Sequence, residues 1–454
     1  MNKTKKLSLI ALFWLLIWQA AAMAVKSSLL LPGPIDTLRA MIGLLTDGGF
    51  YLDALATIGR CIAAMILALV LGMLLSIAAY KWQVVRDVLS LPVALFKTIP
   101  IMAVAIYMIL LMSAGSVPVL VCWIMCFPIV YTNLLNGLDA MDGKLLEMAN
   151  LYGISGYKLS RHVYLPMLYP HFRSAMSLVA GMSWKAIVTA EVLSIPQLSL
   201  GYELMNAKYY LNTDMLFAYV IVLILISILF ENLIKKLVLT LEPHSYEYSK
   251  LVKKEAKTLS GNSSEPVSVE MMDVYKSFGD KKVLEGFNLS LEKGSATAIM
   301  GASGSGKTTI ARLIAGLDKP DAGDIRIDGE GRIAVLFQED RLLPWLNVYD
   351  NLAIVRADND AITKVLKAVG LDEEAWKLPG ELSGGMSYRV AMARAFLIES
   401  GLLIADEPFR GLDAATREAV IENLWVPGVS GKTILLITHS EEDKKLADKT
   451  IILK

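Results

Sequence analysis

Apolar runs of about 20 residues fill the first 240 positions of this 454-residue chain and constrain its fold more than any other feature. A helix needs about 20 mostly apolar residues to cross a bilayer. From about residue 265 onward the composition is that of an ordinary soluble α/β protein. We therefore predict an α-helical membrane domain followed by an α/β domain. The six candidate membrane spans are residues 7–25, 61–80, 99–114, 117–136, 170–194 and 215–234.

The placement of lysine and arginine predicts how these spans are oriented, because cytoplasmic loops carry an excess of both residues. Lys3, Lys5 and Lys6 precede the first span, and basic residues also follow the second, fourth and sixth spans. We expect the N-terminus, the segment after span four and the α/β half to lie in the cytoplasm, next to the cell membrane. The first run could instead be a signal peptide, since residues 22–24 (AMA) resemble a cleavage site. Whether the first span is retained therefore stays open.

Three ionisable residues lie within apolar segments and are functional candidates by default. Arg60 is interpreted as a side chain that snorkels from the end of a span. Lys185 and Glu191 lie deeper, and their spacing of six residues does not place them on one face of a helix. Each could line a solute path or pack against a neighbouring helix.

Between the two halves, residues 241–268 lose apolar periodicity and are rich in charge, Ser, Gly and Pro, which is typical of a tether. The predicted domains are an α-helical membrane domain over 1–240, this linker, and an α/β domain over 269–454. A formal net charge of zero gives no sign of a nucleic-acid partner. The three cysteines fall in apolar runs with no disulfide or metal spacing.

A strand, a glycine loop and a helix follow one another in SATAIMGASGSGKTTIARLIAGL, and Gly301–Thr308 fits G-x-x-x-x-G-K-[ST]. The glycines let backbone N–H groups turn toward phosphate oxygens at a helix N-terminus. Lys307 is expected to reach the β- and γ-phosphates, and Thr308 to supply an oxygen to Mg²⁺. ATP and Mg²⁺ are therefore the predicted cofactors. The predicted ATP-binding residues of this loop are Gly301, Ser303, Gly304, Gly306, Lys307, Thr308 and Thr309.

Two further segments support nucleotide chemistry. The apolar stretch GLLIADEP ends in Asp406, a predicted Mg²⁺ ligand, and Glu407, which is placed to orient or deprotonate the attacking water. Between this stretch and the glycine loop, ELSGGMSYRVAMARA places Ser383 before an apparent helix whose N-terminus could bind phosphate. Taken alone, that serine is equally well explained as a helix cap.

The order of the glycine loop, VLFQED, LSGGM, IADE, GLD and His439 resembles the ATPase domain of ABC transporters over about 270–454. This resemblance implies two ATPase domains that meet head to tail. Each ATP then lies between the glycine loop of one domain and Ser383, Gly384 and Gly385 of the other.

The resemblance also implies roles for single residues. Gln338 would sense the γ-phosphate and Mg²⁺, Asp413 would cross the dimer interface, and His439 would hold the γ-phosphate. Phe278 matches an aromatic that stacks on adenine, although a plain core phenylalanine is the alternative. The chain departs from the usual family pattern at Met386, Tyr388 and Arg410–Gly411.

The polar segment EMANLYGISGYKLSRHVYLP resembles the cytoplasmic coupling loop of ABC importer permeases, and we place that loop at 137–167. The positions that match the family pattern best are Glu147, Ala149, Gly153 and Pro166. The resemblance implies a short helix that docks on the ATPase near Gln338. Gly153 would let the chain turn after it.

Further stretches resemble the nitrate/sulfonate/taurine importers: LLPGPIDTLRA, LFKTIPIMAVA and SWKAIVTAEVL in the membrane half, and FQEDRLLPWLNVYDNL in the ATPase half. Permease and ATPase are usually separate chains in that family, so their fusion is a departure. The resemblance implies an ATP-driven importer of a small polar or anionic solute, in contact with membrane lipid. Two copies of the chain would assemble, and an extracytoplasmic binding protein would deliver the solute. The solute itself, and whether the dimer is homo- or heteromeric, stay open.

Two other functions are compatible with a membrane half followed by an ATPase half. A half-size exporter shares this order, but the short spans and the coupling-loop pattern argue against it. A membrane-tethered ATPase with a regulatory or mechanical task is the second alternative. Lys185 and Glu191 favour a transport path over such a task.

Overall fold

The computed structural model describes residues 3–27, 29–242 and 265–453. The chain forms two compact units: Met1–Met141 with Met167–Glu242, and Asp142–Pro166 with Pro243–Lys454. The segment 142–166 therefore belongs to the second unit, although the sequence places it between helices of the first. Most of the predicted linker, residues 243–264, lies outside the described part of the chain.

The first unit is helical. Its helices are α1 (Lys3–Val25), α2 (Pro34–Thr46), α3 (Gly48–Lys81), α4 (Gln83–Thr98), α5 (Ile101–Leu111) and α6 (Val117–Asp139). After α7 (Gly143–Leu151) and α8 (Gly156–Leu159), which belong to the second unit, follow α9 (Leu165–Ser194), α10 (Leu200–Tyr209) and α11 (Thr213–Thr240).

The core of this unit forms where α3 packs along α6. Gly72 of α3 makes close approach possible, because an added Cβ would lie 2.7 Å from Cγ1 of Val130 on α6. Small residues are the usual means of close helix packing in membranes. Cys61, Cys122 and Cys126 are free thiols in this core, fully buried as small apolar side chains.

Among the residues that the structure describes, four helical stretches have the length and hydropathy of a membrane span, and they contain four of the six predicted spans. The predicted span 99–114 differs, because the chain there forms a pair of helices bent by 105° between α4 and α5. Pro100 explains the break, since it lacks an N–H and keeps Ile99 in an extended conformation (ψ 128°). The first predicted span falls in α1, where Leu9–Val25 is apolar but shorter. The four stretches are Gly48–Lys81, Val117–Asp139, Gly156–Ser194 and Thr213–Thr240.

The interpretation of Arg60 as a snorkelling side chain is wrong. Helix α3 begins at Gly48, more than three turns before residue 61, where the predicted span starts, so Arg60 lies inside the helix and not at its end. Its Nη1 donates to Oε1 of Glu191 at 2.8 Å, and Glu191 is fully buried. Thr57 Oγ1 and the Gly201 backbone N–H also donate to Glu191, at 3.0 and 3.3 Å. Of the two interpretations of Glu191, the structure agrees with packing against a neighbouring helix.

The second unit contains two sheets. An antiparallel sheet has the order β2–β1–β4, and a parallel sheet has the order β5–β6–β7–β3–β8. The strands are β1 (Ser268–Phe278), β2 (Lys281–Leu291), β3 (Ala296–Gly301), β4 (Ala322–Asp328), β5 (Ile333–Leu336), β6 (Leu402–Asp406), β7 (Thr433–Ile437) and β8 (Lys449–Leu453). The central strands β6 and β7 are completely buried runs, as expected for a parallel sheet covered on both faces.

Helices cover this parallel sheet and bring functional segments to its edge. They are α12 (Lys307–Ile314), α13 (Val348–Ala353), α14 (Asn359–Ala368), α15 (Gly384–Leu397), α16 (Ala414–Val420) and α17 (Val426–Val429). The glycine loop follows β3, and Asp406 ends β6, with β7 between the two strands. Open parallel sheets bind ligands beyond the carboxyl ends of their strands, and both predicted segments lie at that edge.

Candidate ATPase site and docked helix

The loop after β3 bends around a space suited to phosphate. Gly304 and Gly306 have φ of +83° and +95°, values that residues with a Cβ rarely adopt. Gly306 immediately precedes α12, so the N-terminal N–H groups of that helix face the loop. The Nζ of Lys307 lies within the same loop, 2.9 Å from the Gly301 carbonyl and 2.7 Å from that of Ala302. The loop therefore provides the cradle and the cation that a polyphosphate requires.

Oxygen ligands of the kind that Mg²⁺ prefers lie beside this loop. The Thr308 hydroxyl donates to Oδ2 of Asp406 at 3.0 Å. Burial raises the pKa of Asp406, while the hydrogen bond from Thr308 opposes that rise. A hydroxyl and a carboxylate in direct contact next to a phosphate cradle fit Mg²⁺, which Thr308 and Asp406 would hold and which would supply positive charge beside the phosphates.

Glu407 follows Asp406 and is surrounded by nitrogen donors. Its carboxylate lies 3.3 Å from Nε2 of Gln338, 3.3 Å from Nη1 of Arg410 and 3.4 Å from Nε2 of His439. Residues from three separate loops therefore meet at one carboxylate. Arg410 had no predicted role in the site, and the only signal for it in the sequence was its departure from the family pattern.

Most of these groups line one cavity of about 320 Å³, but Arg410 and the predicted residue Gly301 are not part of its lining. Phe278 lies at its border with 51% of its surface exposed, so the interpretation of Phe278 as a core residue is wrong. Lys281 and Val283 also line the cavity, and sequence reasoning missed both because only the fold brings β2 beside the loop. The lining residues are Phe278, Lys281, Val283, Ser303, Gly304, Gly306, Lys307, Thr308, Thr309, Gln338, Asp406, Glu407 and His439.

The predicted residues Ser383, Gly384, Gly385 and Asp413 do not line this cavity. Ser383 caps α15, and its hydroxyl accepts from the backbone N–H of Met386 at 3.3 Å. Asp413 caps α16 by accepting from the N–H of Thr416 at 3.0 Å. Both residues therefore act as helix caps in their own domain, which is the alternative that the sequence left open for Ser383.

Helix α7 is docked on the α/β unit through the carboxylate of Glu147. Arg312 of α12 donates to both of its oxygens, at 3.0 and 2.8 Å, and Arg341 donates at 3.0 Å. The hydrogen bonds from Arg312, aided by those from Arg341, lower the pKa of Glu147 although burial opposes the shift. Because Arg312 lies five residues after Lys307, the helix that begins at the phosphate loop also holds the docked segment.

Apolar and backbone contacts complete the docking. Met148 and Ala149 are fully buried, and Tyr152 donates its hydroxyl to the Val335 carbonyl of β5 at 2.7 Å. Gly153 then reverses the chain with φ of +75°. Further along, the indole of Trp345 donates to the His162 carbonyl at 2.8 Å. The segment 142–166 is therefore held at both ends by the α/β unit.

A phosphate cradle after β3, paired carboxylates after β6 and a capped glycine motif before α15 define a P-loop ATPase of the ABC type. Comparison with protein families agrees. Residues 284–410 match the ABC transporter family, and residues 49–241 match the binding-protein-dependent transport system inner membrane component family.

Curated relatives match the ATPase half. An aliphatic sulfonates import ATP-binding protein SsuB 1 of Rhizobium johnstonii is 40% identical over 207 residues, which cover 42% of this chain and 74% of that protein. An aliphatic sulfonates import ATP-binding protein SsuB 2 of Streptomyces avermitilis is 41% identical over 196 residues, covering 41% of this chain and 77% of that protein. A third, SsuB 3 of Pseudomonas syringae pv. tomato, is 40% identical over 200 residues, covering 41% and 73%.

The chain belongs to the ABC transporters, with permease and ATPase fused in one polypeptide. It is an ATP-binding, ATP-hydrolysing importer and a multi-pass protein of the cell membrane, with its ATPase half in the cytoplasm. The prediction of an importer with fused subunits is therefore confirmed.

Proposed function

We propose that this importer carries a small anion such as an organic sulfonate, and that Mg²⁺-dependent ATP hydrolysis in the cavity after β3 and β6 drives the transport. The observation that carries the proposal is the path of contacts from the cavity to the docked helix. Lys307 and Arg312 lie on one helix, and Arg312 donates two hydrogen bonds to the carboxylate of Glu147. A change in the phosphate loop can thus act on the segment that joins two membrane helices.

In this proposal seven residues of the cavity bind the nucleotide, hold Mg²⁺ or act on the attacking water. Lys307 binds the β- and γ-phosphates, and Phe278 covers the adenine. Thr308, Asp406 and Gln338 would hold Mg²⁺, which when bound neutralises charge on the phosphate oxygens. Glu407 orients the attacking water and accepts its proton. His439 supports the γ-phosphate beside that carboxylate.

The signature residues are assigned to a second copy of the chain. Ser383, Gly384 and Gly385 lie away from the cavity of their own domain but expose N–H groups at the start of α15. A two-fold dimer would place them over the partner's cavity and create two equivalent ATP sites. An extracytoplasmic binding protein would present the solute to the membrane half.

The position of Lys185 supports a negatively charged solute. This side chain is exposed on α9 within a membrane-spanning stretch. Across residues 3–27, 29–242 and 265–453, no side chain or carbonyl lies within hydrogen-bond or ion-pair distance of its ammonium group. A cation in a span is unfavourable unless it faces water, a partner or a solute. We assign Lys185 to the solute path, where it favours anions, in agreement with relatives that are named for aliphatic sulfonates.

The test is uptake of a labelled aliphatic sulfonate into cells that produce the chain with its binding protein. We expect uptake that Lys307→Ala abolishes. Lys185→Gln should lower sulfonate uptake about tenfold, whereas Lys185→Arg, which keeps the charge, should lower it little.

Other outcomes would contradict parts of the proposal. Export of the label would support the half-size exporter, and ATP hydrolysis that moves no solute would support a tethered ATPase. Equal uptake by the Lys185→Gln variant and the unmodified chain would remove Lys185 from the solute path without affecting the ATPase assignment.

A further inference from the structure

The backbone at Glu407 has an unusual conformation. Its φ is +52°, in the left-handed region that residues with a Cβ avoid for steric reasons. Such conformations persist where the surroundings over-determine them, and they cluster at functional sites. The Glu407 N–H donates to the Ile437 carbonyl at 2.8 Å, and its own carbonyl accepts from the Arg410 N–H at 3.2 Å. The direction of the Glu407 side chain therefore depends on what holds this turn.

Tyr388 supplies a third contact from a different element. Its hydroxyl, on α15, lies 3.1 Å from the Asp406 carbonyl and 3.2 Å from the Glu407 carbonyl. The side chain is 8% exposed. Both partners are carbonyl oxygens, which can only accept, so the phenol hydroxyl is the donor in these contacts. The donor is thus aimed at the two peptide units that carry the predicted magnesium ligand and the predicted base.

The opposite end of α15 reaches the docked helix. Arg394 is almost completely buried, and its guanidinium donates to the carbonyls of Asp340 and Arg341 at 2.9 Å each. The same guanidinium lies 5.4 Å from the ring of Tyr152 in the docked segment. A single helix therefore contacts the turn at Glu407 near its start and the docked segment near its end.

We propose that Tyr388 is a positioning residue for ATP hydrolysis. Its hydroxyl fixes the left-handed turn at Glu407, so that the carboxylate faces the γ-phosphate position beside Gln338 and His439. This inference rests on the proposed role of Glu407. Tyr388 is also one of the positions at which this chain departs from the usual family pattern.

The test compares Tyr388→Phe with Tyr349→Phe in the full-length chain, reconstituted in liposomes with ATP and Mg²⁺. Tyr349 is a matched control: it is 7% exposed, and its hydroxyl donates to Asn359 Oδ1 at 3.1 Å, without contact with the ATPase cavity. Both variants lose one hydroxyl and keep the ring. We expect Tyr388→Phe to lower kcat for ATP between about 10- and 100-fold, with KM within about twofold, as for misplacement of a catalytic group. Tyr349→Phe should leave both constants unchanged.

Three outcomes decide the matter when the melting temperatures are compared. A kcat loss in Tyr388→Phe that exceeds the loss in Tyr349→Phe at a similar melting temperature supports positioning. An unchanged kcat in Tyr388→Phe, or equal losses in both variants, overturns it. A Glu407→Gln variant measured in the same assay separates the positioning role of Tyr388 from the proposed catalytic role of Glu407. If that variant is inactive while Tyr388→Phe is normal, only the positioning role fails; if Glu407→Gln is fully active, the proposed role of Glu407 itself fails.

Discussion

At the scale of single residues, each carboxylate of the site is contacted by hydrogen-bond donors from neighbouring side chains. Glu407 has three nitrogen-bearing side chains around its carboxylate, and Asp406 has the Thr308 hydroxyl. These side chains come from the start of α12 and from the segments after β5, β6 and β7, so each can be removed without deleting an element. That makes the assigned roles separable by substitution.

Replacement of Glu407 by Gln tests the role of its carboxylate. The amide keeps the volume and a hydrogen-bonding oxygen but cannot accept the proton of the attacking water. We expect ATP binding within a few-fold of the unmodified chain and a kcat lower by about 10²–10⁴-fold, the usual contribution of a general base. Phosphate release and equilibrium ATP binding measure the two quantities. Hydrolysis at the unmodified rate would contradict the assignment.

Replacement of Glu147 by Gln tests the docking contact and its pH dependence. The pKa of Glu147 is lowered from 4.5 by Arg312 and Arg341, so the folded state binds its proton less readily than the unfolded chain does. The stabilisation is therefore complete above the unfolded pKa and is lost as pH falls through the folded pKa. At neutral pH, Glu147→Gln should lower the melting temperature.

The pH dependence distinguishes this contact from a general packing defect. The difference in melting temperature between Glu147→Gln and the unmodified chain should be constant from neutral pH down to about pH 5. It should shrink toward zero in more acidic solution, as the carboxylate becomes protonated. Lys144→Gln is a suitable control, since its ion pair with Glu339 is more than half exposed and should contribute little. A difference that does not change with pH would contradict the ion-pair account.

At the scale of elements, the docked segment depends on one turn. Gly153 has φ of +75°, and an added Cβ would meet no atom within 4 Å. A substitution there costs backbone strain of about 1–2 kcal/mol, without a steric clash at Cβ. Asn tolerates this conformation better than Ala or Trp, which gives a graded series.

Replacements at Gly153 should uncouple transport from ATP hydrolysis increasingly in the order Asn, Ala, Trp. We expect Gly153→Asn to be nearly normal, Gly153→Ala to transport less solute for each ATP hydrolysed, and Gly153→Trp to transport none while it still binds ATP. The measurement is solute moved per phosphate released in proteoliposomes that contain the binding protein. Normal transport by the Trp variant would show that this turn does not carry the coupling.

The same elements show how far sequence alone could lead. The phosphate loop and the Asp-Glu pair were found because each is a local pattern with a strand or helix beside it. Arg60 and Glu191 are 131 residues apart, so their pairing follows from the packing of α3 against α9 and leaves no local pattern. Arg410 and Tyr388 were visible only as departures from a family pattern. The bend at Pro100 could have been predicted, because proline breaks helices, but the apolar run around it suggested a continuous span.

At the scale of the whole molecule, the assignment requires two chains. The cavity of one domain contains the phosphate loop, while Ser383, Gly384 and Gly385 lie away from it. If ATP binds between a loop from one copy and a signature motif from the other, neither copy has a complete site of its own. Two variants, each defective in a different half of the site, can then complement each other.

Mixed dimers of Lys307→Ala and Gly384→Asp chains test this directly. Gly384 is exposed, and an added Cβ there would meet no atom within 4 Å, so the aspartate should be tolerated while it repels phosphate. Each variant alone has two defective sites and should be inactive. In the mixed dimer both defects fall in one site, because the Lys307→Ala loop faces the Gly384→Asp motif, and the other site is intact. We expect ATP hydrolysis to return only when the two differently tagged chains are copurified. Mixed dimers as inactive as either parent would place the whole site within one chain, because every chain would then carry one defect of its own.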